Sequence, residues 1–345
     1  MFCGEKPESK TKEHIIPKWL LELTGVPSRN YYFGLINNID SFENGIPFNQ
    51  FVFPACKKCN EQFGKLEEQT KQILMSILIN EKLSFSDLNL FLMWLDKIRI
   101  GIWLANLYLE KNFLGIKPKF FIKSRINQND RMLLIFKTDF KGSRINIIGA
   151  NTPAFAFMPC CFGLLINNYI FVNISKEFLF SSRIGLPYPK ETYYSNDQRL
   201  VAKMSKGRGK MKLPIFTSPF ENNGVQIFQP MIMNGLGINP KFYESDYIMS
   251  LCYDPQKGIG KIFINNMDKF FTYPLNKSYL WMPGFSFEDD KIILPIAYKI
   301  LETQNKLLMD IRTSYIFLDS EKCKSYIQSL NQSLDFNKSL LKQLR

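Results

Sequence analysis

One histidine, His14, serves the whole chain of 345 residues, and an acid, Glu13, precedes it. Imidazole is the side chain whose ordinary pKa lets it take and return protons near neutrality, so any histidine-based acid–base chemistry runs through this position. Downstream lies Cys56-Lys57-Lys58-Cys59-Asn60, two thiols at metal-ligand spacing with an amide directly after them. An imidazole with an acidic neighbour, followed by Cys-x2-Cys-Asn, points to hydrolysis assisted by a metal. On an extended strand Glu13 and His14 project to opposite faces, so both reach one cation only where the backbone turns. Beyond Cys59, helical spacing puts Asn60 and Glu67 on one face, with Phe63 or Gly64 between them. Glu67 is therefore a further candidate ligand, and Glu68 is the alternative if the helix phase differs by one residue.

The string Glu13-His14-Ile15-Ile16-Pro17-Lys18-Trp19-Leu20, with Cys56-x2-Cys59-Asn60 after it, resembles the HNH, or ββα-metal, endonuclease superfamily over about the first fifth of the chain. The resemblance implies a ββα module in which His14 is the general base that activates water and Glu13 is a carboxylate ligand of the catalytic cation. It implies that Asn60 orients His14 or completes the metal site, and that Cys56 and Cys59 hold a structural zinc. Phosphodiester hydrolysis needs a nucleophilic water, a base and a cation that offsets charge on the phosphoryl oxygens. One imidazole, one carboxylate and one amide oxygen supply that set with a hard ion, Mg²⁺ or Mn²⁺. Resembling modules often serve in prokaryotic restriction or phage defence.

A zinc knuckle needs four ligands, usually two Cys-x2-Cys pairs. Cys56 and Cys59 give one pair, and Cys3-Gly4-Glu5 looks like the second half of another whose first cysteine would fall before Met1. Three readings stand: an upstream start, a three-cysteine site completed by another group, or a site that has lost its metal. Cys160, Cys161, Cys252 and Cys323 lack metal spacing. Seven cysteines, three of them in a zinc-like arrangement, favour reduced thiols in a cytoplasm over a disulfide framework.

Lysine and arginine total 44 against 31 acidic residues, a formal charge of +13, which draws the chain toward polyanions without specifying a sequence. The basic run that includes Lys206, Arg208 and Lys210 is spaced by glycine and free of acid, a loop suited to a phosphate backbone. Lys57 and Lys58 lie between the cysteines and are the better candidates for holding the scissile strand. DNA is the expected partner, RNA is an alternative, and a protein partner or second copy is a further expectation. Residues 1–14 are charged and carry no signal-like apolar segment, so the cytoplasm is the location expected. The uncharged stretch Thr152 to Ser175 is broken by Pro153, Pro159, Gly163, Asn167 and Asn168, so it reads as a hairpin rather than a membrane span.

The organisation expected is α+β. A nuclease module occupies 1–80, with Tyr31-Tyr32-Phe33 and Phe51-Val52-Phe53 as strands and a helix from Glu61 to Asn80. A helical connector fills 81–116, capped by Ser84 or Ser86 and running from about Asp87 to Leu109, nearly surrounded by other elements. Short β-branched and aromatic runs between turns make 117–297 an antiparallel β-rich region without an assigned role, and 298–345 returns to helical spacing. Two further functions compete with a DNA endonuclease: a nuclease that cuts RNA or needs a partner, and a catalytically degenerate module that only binds nucleic acid.

Overall fold

Uninterrupted apolar runs in the middle of the chain become strands of a sheet covered on both faces. The computed structural model describes residues 3, 9–25, 30–31, 46–47, 52–109, 129–179, 187–194, 200–206, 224–231, 260–266, 269–278, 286–315 and 321–343. In chain order the first elements are β1 (Lys10–His14), α1 (Lys18–Leu23), β2 (Asn30–Tyr31), β3 (Ile46–Pro47), β4 (Val52–Cys56), α2 (Lys57–Leu78) and α3 (Phe85–Leu109). They are followed by β5 (Asp130–Lys137), β6 (Ile145–Ile148), α4 (Pro153–Phe157), β7 (Cys161–Ile166), β8 (Tyr169–Lys176), β9 (Pro187–Tyr194) and β10 (Leu200–Lys206). The last are β11 (Val225–Gln229), β12 (Phe263–Asn266), β13 (Lys269–Thr272), α5 (Asp289–Tyr315) and α6 (Glu321–Gln343).

Seven strands form one antiparallel sheet in the order β13-β12-β11-β5-β8-β7-β6. Side chains alternate across it. Leu133, Ile135, Phe171, Leu164, Val225 and Ile227 join the core built on α3, whereas Met132, Leu134, Phe136, Val172 and Ile174 pack with Ile292, Ile296 and Ile300 of α5. With a helix on each face no alternate residue needs to be polar, which is why Met132 to Phe136 reads as one apolar run. The expected hairpin is present: Ile166 pairs Tyr169 across Asn167-Asn168, and Asn167 takes the left-handed φ of 51°. Among the described residues no helix is long and apolar enough to cross a membrane.

Helix α3 is the central element. Ser84 caps it through a reciprocal pair: the Asp87 N–H donates to Ser84 Oγ at 3.1 Å, and the Ser84 N–H donates to Asp87 Oδ2 at 2.8 Å. Phe91, Trp94, Leu95 and Ile98 are fully buried, as the near-continuous apolar sequence predicts. Asp96, Lys97 and Arg99 are buried too; Asp96 pairs with Arg99 at 3.0 Å and with Arg131 of β5 at 3.4 Å, fixing the helix to the sheet.

The final helical region begins at Asp289, inside the stretch read from sequence as β-rich. Ile292, Ile293 and Pro295 hide this helix, because β-branched residues favour strands and an internal proline argues a break. Its start is fixed by Asp289 and Asp290 in the first turn and by Asp139 Oδ1, which accepts from the Asp289 N–H at 3.0 Å. The one core around α3 takes in Ile15 and Ile16, Phe53 of β4, Leu66 and Ile73 of α2, and the inner face of the sheet.

Candidate functional site

Strand β1 pairs antiparallel with β4, Lys10 opposite Cys56 and His14 opposite Val52, and α2 begins directly after β4. This strand–strand–helix order follows from the sequence. The apolar residues Val52, Phe53 and Ala55 need a partner strand, and Cys56 ends the strand by capping the helix, its Sγ accepting from the Cys59 N–H at 3.4 Å. The string after His14 is the anchor. Ile15, Ile16, Leu20 and Leu21 are buried, and Trp19 stacks on Trp94 of α3 with ring centroids 6.2 Å apart. Ile15 lies against Gly101 so closely that an added Cβ would sit 2.6 Å from it. The apolar half of the motif thus fixes where the reactive half stands.

Two groups of side chains result, at opposite ends of the β1–β4 pair. At the Cys56 end, Cys3, Cys56 and Cys59 place their sulfurs within 4.8 Å of one another, with Cys3 Sγ 3.8 Å from Cys56 Sγ. They lie close enough to bind a metal ion. The Cys59 N–H lowers the Cys56 thiol, whereas burial pushes the Cys59 thiol up to about 12. Lys57 and Lys58 are exposed beside this cluster, and the partly exposed Asn60 follows Cys59 in the first turn of α2.

At the His14 end, strand alternation buries Glu13 and leaves His14 partly exposed. Helix α2 runs back along the pair. Ten residues from Lys57 to Glu67 rise about 15 Å, and four from Lys10 to His14 rise about 13 Å, so Glu67 reaches the level of Glu13. Both carboxylates meet one ammonium there. Lys97 of α3, with no exposed side-chain surface, donates to Glu13 Oε1 at 2.6 Å and to Glu67 Oε1. Its third partner is the His14 carbonyl at 3.4 Å, and the Phe63 ring lies 5.2 Å away. Burial raises the Glu67 carboxyl to about 7 against the pull of Lys97, with Glu13 adding repulsion. Burial also holds the His14 imidazole below its ordinary range, and the charges of Lys18, Lys97 and Lys12 lower it further.

The sequence-predicted residues are therefore distributed as follows. Glu13, His14 and Glu67 share one end; Cys3, Cys56, Cys59, Asn60, Lys57 and Lys58 share the other. Among the described residues no hydrogen bond joins Asn60 to His14, and the one group of three ligand atoms drawn together is the three thiols. Glu68 is exposed. Lys206 ends β10, its backbone opposite Pro187, and Arg208 and Lys210 lie outside the described residues. Lys97 escaped the sequence reading because it belongs to the connector. The signal was available: Asp96, Lys97 and Arg99 are charges inside an otherwise apolar helix, and buried charges require partners.

Comparison of the chain with protein-family models, with curated proteins and with solved structures finds no match.

Proposed function

We propose that the chain is a nuclease of the HNH type that hydrolyses phosphodiester bonds in DNA, with His14 as its general base. The observation that carries this reading is the β1–β4–α2 unit, which presents a partly exposed His14 at the end of β1 with Glu67 of α2 at its level. The lowered pKa leaves the imidazole neutral at pH 7 and so able to take a proton from water attacking phosphorus. Lys12 and Lys18, exposed and close enough to depress His14, would draw a phosphate to it. Lys57 and Lys58, at the other end, are assigned to holding the strand through its backbone, and Asn60, which makes no hydrogen bond to His14, is given no step.

Zinc is the metal proposed for the three thiols. Tetrahedral thiolate sulfurs around zinc stand roughly 3.8 Å apart, given a Zn–S bond of about 2.3 Å; the Cys3–Cys56 separation is 3.8 Å. Such an ion would lock the chain around Cys3 to the β4–α2 junction, a structural role.

The Mg²⁺ or Mn²⁺ implied by the resemblance does not fit between Glu13 and Glu67 as they stand, because Lys97 occupies that place and one oxygen of each carboxylate, Oε1, accepts from it. The same observation favours a second reading, a module that binds nucleic acid without cutting it. Supercoiled plasmid incubated with the full-length protein in Mg²⁺, Mn²⁺ or EDTA separates the two. Nicked or linear product that disappears with His14→Ala supports the nuclease; salt-sensitive binding with no product under any condition supports the binding module.

A further inference from the structure

Lys97 is a lysine with no exposed side-chain surface, and each of its three hydrogens has an acceptor: Glu13, Glu67 and the His14 carbonyl. An ammonium taken from water into a protein interior is retained only where its charge is matched. Here the match is two carboxylates from different elements, one on β1 and one on α2. The lysine cannot easily leave. Its helix is held on the sheet by the Asp96 pair with Arg131 of β5 and by Arg99, which donates to Asn173 Oδ1 of β8 at 2.6 Å, and Trp94 and Ile98 on either side are fully buried. Swinging Nζ out of its seat would strand a charge among Phe63, Leu66 and the other apolar side chains packed there.

We propose that Lys97 is the resident cation of the seat between Glu13 and Glu67, a positioning residue that stands where a divalent ion would bridge the two carboxylates and keeps such an ion out. It ties β1 to α2 at the level of His14 and holds the His14 carbonyl, so it fixes the backbone that presents the imidazole. The proposal concerns the site of the nuclease reading but is read through ion binding, so a failure to cleave DNA would leave it standing.

The test is Mn²⁺ binding to the full-length protein, followed by the EPR signal of the free ion. The thiol cluster is common to all variants and cancels in the comparison. Wild type and Glu67→Gln should bind Mn²⁺ alike within about twofold, since Lys97 already holds Glu67 Oε1 and fills the place between the two carboxylates. Lys97→Met should open the seat and gain a site at least about tenfold tighter than any in wild type, lost again in Lys97→Met/Glu67→Gln. A tenfold or greater weakening by Glu67→Gln alone would overturn the proposal, as would a folded Lys97→Met protein that binds no better than wild type. Should Lys97→Met fail to fold, the wild-type and Glu67→Gln comparison decides, with Lys97→Arg expected to behave as wild type.

Discussion

His14 and Glu67 are pushed in opposite directions by the same burial, because one carries charge when protonated and the other when deprotonated. On the nuclease reading the base must be neutral, so the rate of cleavage should rise with pH through a midpoint below about 6.5 and level off above that midpoint. Lys18→Gln removes one of the cations that depress it, so the midpoint of the pH–rate profile should move upward; an unchanged midpoint would remove Lys18 from the account of the imidazole. Glu67 has the opposite sign in stability. Its folded pKa of about 7 lies above its ordinary value of 4.5, so the native state binds more protons than the unfolded chain between these values. Its contribution is complete at low pH and is lost as pH rises through that window, by about 2–3 kcal/mol. Urea midpoints measured across pH 4.5 to 7 should fall less steeply in Glu67→Gln than in wild type. Parallel slopes would show that Glu67 does not titrate there.

At the scale of elements, α3 connects the chemistry to the core, and its contact with the chain after His14 is tight. Ile15 is β-branched and buried, and its side chain approaches the space above Gly101 to 2.6 Å. Gly101→Ala should cost about 1–3 kcal/mol through overpacking and reduce cleavage by displacing His14; a fully active variant of wild-type stability would contradict that placement. The thiol cluster joins the β4–α2 junction to Cys3. Elemental analysis should find one zinc per chain, and chelation or Cys59→Ser should lower Tm by about 5 °C or more. Elements whose local signals agree were legible in the sequence: the Asn167-Asn168 hairpin, the Ser84 cap, and the strand runs of β5, β7 and β8. The start of α5 was not, because Ile292, Ile293 and Pro295 contradict the helix that packing against the sheet imposes. Glu13 was nominated by the resemblance of its motif, and Glu67 by its helical spacing from Asn60. Lys97 could not be paired with them, since no periodicity links a connector helix to a strand that precedes it by most of a module.

The whole molecule places α3 and the β1–β4–α2 unit on one face of a seven-stranded sheet and α5 on the other. A core shared between the N-terminal unit and the sheet makes the site part of the same packing as the β-rich region. The excess of 44 basic over 31 acidic residues surrounds this body with positive potential. Binding to a plain duplex should accordingly weaken steeply as salt rises, whatever the sequence. Titrations at 50 and 200 mM salt that superimpose would rule out phosphate contacts as the source of affinity. The most direct measurement is cleavage of supercoiled plasmid by wild type and His14→Ala, each purified identically, shown to be folded by circular dichroism and assayed side by side in Mg²⁺, Mn²⁺ and EDTA. Nicked or linear product from wild type and none from His14→Ala is the expected result; equal product from both proteins would contradict His14 as the base.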